Sequence, residues 1–436
     1  MKSPRFQVLE LLLRMSENAY SNLLLDNALN NESFDNREKK FISILFYGII
    51  ERQITLDYII SKYSSKPLDK IDKDVLSILR IGIYQLLYMS SIPDNAAVNE
   101  TVNLAKQAHK ASASGFVNAV LRNFIRDNKK IILPKDKTQA YSIEYSCPLW
   151  LVDKWIKEYG EKNAVQIMAS TISKPEITIR VNNLKISSDD LITILENEGI
   201  DSKKSELIEN CLILENCGSI ERLDSFKKGF FHVQDISSQL CCMALGTCKN
   251  DVVLDLCAAP GGKSFTICEI MNNKGKVYSF DLHEKRVNLI KDGANRLGIK
   301  NIICDTGNAK TFNPEIPLAD KILCDVPCAG LGVISKKPEI KYKSQQELSS
   351  LPEIQYDILR NAVKYLKPGG ELVYSTCSLS KEENDEIIDG FLKENTDYEG
   401  VSFLTELGQP FGDYKATLFP HSFNSDGFFI SKIRRK

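Results

Sequence analysis

Residues 252–267 read VVLDLCAAPGGKSFTI, and this stretch decides the fold of the C-terminal part of the chain. A short apolar run is followed by a glycine-containing turn and then by a helical pattern, which predicts a strand, a tight loop and a helix. Gly261 and Gly262 allow a ligand to approach the backbone closely, and the helix N-terminus offers free N–H groups. A turn with only a structural role remains the alternative for this stretch taken alone.

Two common nucleotide-binding motifs do not fit this loop. A P-loop requires glycine five residues before its Gly-Lys-Ser, and Cys257 occupies that position. The GxGxxG pattern of dinucleotide-binding folds is also missing. Asp281 ends the next predicted strand about 20 residues after the glycines, where a carboxylate binds ribose hydroxyls. A nucleoside cofactor without a pyrophosphate fits best, and S-adenosylmethionine is the obvious candidate.

From residue 251 onward, short apolar strands alternate with helical segments, which predicts a doubly wound parallel sheet. In such sheets, ligands bind outside the carboxyl ends of the strands. The predicted strands are residues 252–256, 277–280, 301–304, 321–324 and 371–375.

Two further motifs place cysteines just after predicted strands. In KILCDVPCAGLGV (321–333), Asp325 ends a strand and Cys328 lies in the following turn; in ELVYSTCSLSKEEN (371–384), Cys377 follows the last predicted strand. If these two strands are neighbours, both thiols and Asp325 face one cleft beside the cofactor. A single cysteine in such a turn is usually structural, but two thiols and a carboxylate in one cleft favour a functional site. Ser380 and Glu383 are also predicted to form a capping box for the next helix.

Two thiols and a carboxylate suit methylation at carbon 5 of cytosine. That carbon is too electron-poor to attack a sulfonium methyl directly, and a thiolate that adds to carbon 6 makes it nucleophilic. A carboxyl near ring N3 stabilises the added state, and a second thiol could assist when the carbon-5 proton leaves. The thiolate requires a lowered pKa, for which helix N-termini and Lys263 are both possible sources.

The motifs within residues 251–384 resemble those of the RNA cytosine-5 methyltransferase family, whose hallmarks are DxCAAPGGK, DxPC and TC. With the N-terminal part included, the chain resembles the bacterial Sun/RsmB type, which are 16S ribosomal RNA methyltransferases with a NusB-like helical domain. That helical domain is matched by LFYGIIERQITLD and GFVNAVLRNFIR. The family's connecting subdomain is matched by SCPLWLVDKWIKEYG, ITIRVNN and FHVQDISSQL, so the resemblance covers nearly the full length.

The resemblance implies a role for each motif residue. Cys377 would be the nucleophile, Cys328 would help to release the product, and Asp325 would contact the cytosine ring, with Lys263 in the same catalytic group. Asn308 stands where the family usually has Asp, and its amide can still make a hydrogen bond there. The residues that would bind S-adenosylmethionine are Cys257, Ala258, Ala259, Pro260, Gly261, Gly262, Lys263, Asp281, Asn308 and Asp325.

The chain has 436 residues, which suggests about three domains. The predicted fold is a Rossmann-like α/β S-adenosylmethionine methyltransferase domain (251–436) with an all-α NusB-like RNA-binding domain (1–130). A linker (131–145) and a small α/β connecting subdomain (146–250) lie between them. The net charge of −1 conceals a basic first domain, in which 18 Lys and Arg face 14 Asp and Glu. Four lysines after the motif KILCDVPCAGLGV (321–333) either contact phosphates or form a solvated basic loop: Lys336, Lys337, Lys341 and Lys343.

Several classes of protein are disfavoured by composition. No apolar run approaches the roughly 20 residues of a membrane span, and the N-terminal stretch carries charges within its apolar part, so we expect a cytoplasmic protein without a membrane partner. The twelve cysteines form no zinc-like cluster, and we expect neither a metal nor a disulfide framework. Ribosomal RNA is the expected partner, and no obligate protein partner is predicted.

Two other functions stay open from the sequence. Transfer RNA is an alternative substrate, since none of the motifs reads the identity of the RNA. A binding protein with a vestigial methyltransferase fold is the other alternative, against which the intact Cys377, Cys328, Asp325 and Lys263 argue.

Overall fold

The computed structural model describes residues 3–15, 21–31, 34–215 and 217–436. The chain forms two compact units, one made of residues 1–173 with 334–343 and the other of residues 174–333 with 344–436. This division differs from the predicted domain boundaries, because residues 137–170 pack with the N-terminal helices. The hydroxyl of Thr55 donates to the carbonyl of Ile143 (2.5 Å), and Ser146 Oγ accepts from the backbone N–H of Ile54 (3.0 Å).

The first unit is helical throughout its described residues. A capping box of Asp35 and Glu38 starts its longest helix, and Gly160, with φ of 77°, interrupts its last one. Its helices are α1 (Pro4–Met15), α2 (Ser21–Asn31), α3 (Asn36–Tyr63), α4 (Lys73–Tyr88), α5 (Asp94–Gln107), α6 (Ser114–Arg126), α7 (Lys137–Glu144) and α8 (Leu149–Ser170).

A segment from far along the chain, residues 334–343, completes this unit, and we call it the docked segment. The side chain of Lys341 is 0% exposed, and its Nζ donates to the carbonyl of Glu51 (2.6 Å). The hydroxyl of Tyr342 donates to the carbonyl of Ile50 (2.7 Å). Both readings of the four-lysine loop are therefore wrong for Lys341, which reaches neither phosphate nor solvent because it is buried against α3.

The second unit begins with a small antiparallel sheet in the strand order β2-β3-β1-β4. A buried ion pair (3.1 Å) joins Arg180 on β1 of this sheet to Glu269, which lies on helix α12 (Gly262–Ile270). Its elements are β1 (Ile177–Val181), α9 (Ser188–Asn197), β2 (Asp201–Lys204), β3 (Cys211–Glu215), α10 (Asp224–Lys227) and β4 (Phe231–Val233).

The larger sheet has eight strands in the order β10-β12-β9-β8-β5-β6-β7, with β11 paired to β12. Its elements are α11 (Ile236–Leu245), β5 (Val252–Asp255), α12 (Gly262–Ile270), β6 (Lys276–Asp281), α13 (Glu284–Leu297), β7 (Ile302–Thr306), β8 (Ala319–Asp325), α14 (Gln345–Leu348), α15 (Leu351–Ala362), β9 (Leu366–Thr376), α16 (Asp385–Glu394), β10 (Tyr398–Gly400), β11 (Lys415–Leu418), α17 (Pro420–Phe423) and β12 (Phe428–Arg435).

All five strands predicted from the alternating pattern are present as β5 to β9, and they run parallel. β12 adds an antiparallel strand beside β9. Strands β8 and β9 are neighbours, and their register places Asp325 beside Ser375. The loops that follow these two strands therefore leave the sheet side by side.

Candidate active site

The loop between β5 and α12 is held in one conformation by glycine and by two hydrogen bonds. Gly261 has φ of +110°, and a Cβ there would lie 2.4 Å from the ring of Phe265. Ala258 N–H donates to the carbonyl of Phe280 (2.8 Å), and Arg286 donates to the carbonyl of Ala259 (2.8 Å). The loop thus presents its backbone at the carboxyl end of the sheet, as the sequence predicts.

Asp281 lies at the end of β6, at the position expected for a ribose-binding carboxylate. Its side chain is buried, forms an ion pair with Arg286 (3.2 Å) and accepts from the backbone N–H of His283 (3.2 Å). These contacts fix the carboxylate at the mouth of the sheet, where a ligand on the loop would meet it.

A cavity of about 230 Å³ opens beyond this carboxylate, and its apolar walls include Leu256 and Phe280. The predicted Asn308 lies on its rim, where its side chain accepts from the N–H of Lys310 (3.0 Å). Asn361 also lines it, and its Oδ1 is buried without a hydrogen-bond partner among the described residues. A largely apolar slot of this size suits a flat ring system such as a purine. Sequence reasoning missed Asn361, which lies on α15 outside every motif.

Asp255, the last residue of β5, is a second buried carboxyl that the sequence analysis did not single out. Its Oδ2 accepts from the hydroxyl of Ser264 (2.6 Å), which in turn accepts from Ser279 (2.9 Å). Burial raises the pKa of Asp255 to about 7. This chain of hydrogen bonds ties the start of α12 to β5 and β6, so it supports the loop from below.

Asp325 and Lys263 form a tight ion pair with a distance of 2.7 Å between Oδ2 and Nζ. Asp325 Oδ1 accepts from the hydroxyl of Ser375 (2.9 Å). Burial alone would lower the pKa of Lys263, but the charge of Asp325 outweighs it, and the pKa lies above its usual value. The charge of Lys263 therefore lies directly beside the carboxylate of Asp325.

The two predicted cysteines meet, with 3.2 Å between Cys328 Sγ and Cys377 Sγ. Both side chains are half-buried. The hydrogen bond to Cys377 raises the pKa of Cys328, and burial and the neighbouring Asp325 raise it further. Either sulfur can donate the hydrogen bond that joins the pair. The structure thus brings both thiols and Asp325 together, as neighbouring strands predict.

One prediction for this region is wrong. Ser380 and Glu383 do not cap a helix, because α16 begins at Asp385 and has no side-chain cap. The Glu383 side chain turns inward instead and accepts hydrogen bonds from the loops that carry the two thiols. Spacing alone satisfied the capping-box pattern, but donors from a distant loop compete for the same carboxylate.

The rest of the described chain offers no second centre of this kind. All twelve cysteines are free thiols, and the described residues contain no group of three or more His, Cys, Asp or Glu arranged to hold a metal ion. Within those same residues, every helix is too short or too polar to cross a membrane.

The parallel sheet, the glycine loop after β5 and the carboxylate after β6 define a Rossmann-like methyltransferase domain. Residues 242–434 match the family of 16S rRNA methyltransferases RsmB/F, residues 2–126 match the NusB family, and residues 147–221 match the ferredoxin-like domain of RsmF/B-like methyltransferases. The chain belongs to the RsmB/F family of 16S rRNA methyltransferases. The predicted family and fold class are confirmed.

One curated relative and two solved structures are similar to this chain over about two thirds of its length or more. The chain is 40% identical to a probable ribosomal RNA small subunit methyltransferase B of Bacillus subtilis, over 100% of this chain and 99% of that protein. The crystal structure of PH0851 has a TM-score of 0.83 at 25% identity and covers 100% of this chain and 99% of its own. NSun6 from Pyrococcus horikoshii, solved with SFG, shares the fold (TM-score 0.61, 24% identity) over 66% of this chain and 98% of its own.

Proposed function

We propose that this chain transfers a methyl group from S-adenosylmethionine to carbon 5 of a cytidine in 16S ribosomal RNA, through a covalent bond between Cys377 and carbon 6. The observation that carries the proposal is the thiol pair, 3.2 Å apart, beside the Asp325–Lys263 ion pair. Membership in a ribosomal RNA methyltransferase family supports the substrate class. Such a substrate places the protein in the cytoplasm.

Cys377 is the nucleophile in this proposal because it is the cysteine of the TC motif, which has that role in the RNA cytosine-5 methyltransferases that the chain resembles. Cys328 stays protonated, and a donated hydrogen bond stabilises negative charge on the Cys377 sulfur. The thiolate adds to carbon 6, and the electron pair of the carbon 5–carbon 6 double bond moves to carbon 5. After methylation, a base such as water takes the carbon-5 proton, the electron pair re-forms the carbon 5–carbon 6 double bond, and the Cys377–carbon 6 bond breaks. Cys328, 3.2 Å from Cys377, can then give its proton to the departing Cys377 sulfur.

Asp325 orients the pyrimidine ring in this scheme. Its two oxygens are held by Lys263 and Ser375, which fixes the plane of the carboxyl group at the end of β8. A carboxyl group in that place would stabilise the adduct by giving a proton to ring N3, or by accepting a hydrogen bond from that edge of the ring once N3 is protonated. Because attack on carbon 6 comes from above the ring plane, the target base must leave the stack.

In this proposal, the cofactor would extend from the loop after β5, past Asp281, to the cavity beside Asn308. The backbone of residues 257–263 would hold the methionine part, Asp281 the ribose, and the slot with Asn308 the adenine. When bound there, S-adenosylmethionine supplies an electrophilic sulfonium methyl.

The decisive test is substitution of each thiol. Cys377→Ala is expected to abolish methylation while S-adenosylmethionine still binds in calorimetry, because the cofactor path does not use that thiol. Cys328→Ala is expected to trap a covalent protein–RNA adduct that migrates slowly in a denaturing gel. Cys248→Ala, at an exposed cysteine, is the matched control. Methylation by the Cys377→Ala protein would show that the nucleophile is wrongly assigned.

The RNA target requires its own measurement. Methyl incorporation into total ribosomal RNA is expected to exceed incorporation into transfer RNA, and bisulfite sequencing of ribosomal RNA from cells with and without this gene should reveal one cytidine that loses its methyl group. Preferential labelling of transfer RNA would contradict the substrate, and a protein that fails to bind S-adenosylmethionine would favour a vestigial domain.

A further inference from the structure

The loops that carry the two thiols share a single buried carboxylate. We call residues 326–330 the PC loop and residues 376–379 the TC loop. The side chain of Glu383 is 4% exposed. Its Oε2 accepts from the N–H of Ala329 (2.8 Å), and its Oε1 accepts from the hydroxyl of Ser378 (2.5 Å). Each donor belongs to the residue directly after one of the two cysteines.

A buried glutamine extends this contact to the other side of the PC loop. Gln355 Nε2 on α15 donates to Glu383 Oε2 (2.8 Å) and to the carbonyl of Pro327 (3.0 Å), the residue before Cys328. Gln355 is 0% exposed. The backbone on both sides of Cys328 is therefore fixed relative to Glu383.

Asn384, the residue after Glu383, closes the TC loop with two hydrogen bonds. Asn384 accepts from the hydroxyl of Thr376 (2.6 Å) and donates to the carbonyl of Ser378 (2.8 Å), so it spans the turn that holds Cys377. The N–H of Gly332 also donates to the carbonyl of Cys377 (2.9 Å). These bonds shape the TC loop itself, whereas Glu383 accepts from both loops at once.

We propose that Glu383 is a positioning residue, which sets the distance between Cys328 and Cys377 by holding the PC loop and the TC loop to one carboxylate. The inference rests on the proposed function, in which both thiols act on one base. A buried carboxylate is costly unless it accepts several hydrogen bonds, and the three donors described above come from, or contact, the two loops. Since Glu383 caps no helix, these loops account for its burial.

Two substitutions separate geometry from charge. Glu383→Ala removes every acceptor, so the loops are free to move apart. Glu383→Gln keeps the hydrogen bonds, because its carbonyl can accept from Ala329 and Gln355 while its amide donates to the hydroxyl of Ser378, which can rotate. Glu386→Ala, at an exposed glutamate on α16, is the matched control.

The first readout is catalysis. Because a misplacement of about 1 Å can cost about a hundredfold in rate, we expect Glu383→Ala to lower kcat for methylation of ribosomal RNA by about a hundredfold. The KM for S-adenosylmethionine should stay within threefold, since the cofactor path lies at β5, β6 and β7. Glu383→Gln should retain kcat within about fivefold, and Glu386→Ala should match the wild type.

The second readout requires no RNA and so does not depend on the proposed function. Oxidised glutathione converts two neighbouring thiols into a disulfide with release of two reduced glutathione molecules, and the equilibrium constant reports how well the thiols are held together. Mass spectrometry of the Cys328–Cys377 peptide pair should give a constant at least tenfold lower for Glu383→Ala than for wild type or Glu383→Gln. Should Cys377→Ala remain active, the proposed function fails while this measurement still decides the role of Glu383.

Three results would overturn the proposal. These are a Glu383→Ala protein with kcat within threefold of wild type, an unchanged thiol equilibrium, or a Glu383→Gln protein as impaired as Glu383→Ala. If Glu383→Ala does not fold, Ser378→Ala removes the donor on the TC loop alone. The same glutathione constant should then fall by at least threefold, and an unchanged value would overturn the proposal.

Discussion

Replacing Lys341 with methionine should change how the stability of the helical unit depends on pH. Lys341 is fully buried in the docked segment, and burial lowers its pKa from 10.5 to about 8. A lysine whose pKa is lower in the folded than in the unfolded state is a charge that the fold disfavours. The loss of folding free energy that this charge causes is fully present below pH 8 and disappears as pH rises past 10.5.

The size of the effect follows from that shift. At about 1.4 kcal/mol for each pKa unit, the charged form costs about 3 kcal/mol at pH 7. Near pH 9.5 the folded protein holds a neutral lysine, and the cost falls to about 1.4 kcal/mol. Relative to Lys341→Met, the wild type should therefore gain about 2 kcal/mol between these pH values. The neutral amine can still donate to the carbonyl of Glu51, so the hydrogen bond survives.

The chain offers a local reporter for this measurement. Its two tryptophans, Trp150 and Trp155, both lie on α8, so their fluorescence in urea follows the helical unit. Free energies of unfolding at pH 7 and 9.5 would be compared for wild type, Lys341→Met and Lys343→Met, in which an exposed lysine is changed. The reasoning is refuted if the difference in free energy of unfolding between wild type and Lys341→Met is the same at both pH values. It is also refuted if the wild type becomes less stable relative to Lys341→Met at pH 9.5.

Two further perturbations test the sheet and its loop. Gly261→Ala should destabilise the second unit by about 1–3 kcal/mol and weaken S-adenosylmethionine binding, because φ is +110° and the new Cβ would meet Phe265. Thermal unfolding measures the stability and calorimetry measures the binding. Gly262→Ala is the stability control, because a Cβ at that position meets nothing within 4 Å. Glu371 on β9 accepts from Lys321 on β8 and from Arg434 on β12. Burial raises its pKa, but these partners and Lys432 outweigh burial and lower it to about 2. The free energy of unfolding of the wild type should therefore fall by about 2 kcal/mol relative to that of Glu371→Gln as pH falls from 6 to 2.5. Urea unfolding at both pH values measures this, and an equal loss of stability in the two proteins would contradict it.

The positions of the candidate catalytic residues could be predicted from the sequence because they depend on few long-range facts. Asp281, Asp325 and Cys377 lie at or just after apolar strands, and parallel strands bring their carboxyl ends to one edge of the sheet. The only tertiary assumption was that two strands are neighbours, and the pairing of β8 with β9 meets it. Local pattern and one rule of topology therefore sufficed.

Supporting residues escaped prediction for the opposite reason. Lys341 lies among exposed lysines, and its burial depends on the carbonyl of Glu51, 290 residues away. Glu383 fits the spacing of a capping box, yet its partner Ala329 lies 54 residues earlier. Asn361 is an ordinary helix residue until the fold places it in a cavity wall. No local spacing encodes such contacts.

Three buried charges among the described residues lie where separate segments are held together. Lys341 joins the docked segment to α3, Glu371 joins three strands, and Glu383 joins the two thiol loops. An apolar side chain could fill each space but could not fix register, because hydrophobic contact is non-directional. A buried charge costs several kcal/mol when its partners are displaced, so each one penalises any arrangement of its segments other than the native one. At the thiol pair, that penalty would maintain the 3.2 Å separation on which the proposed chemistry depends.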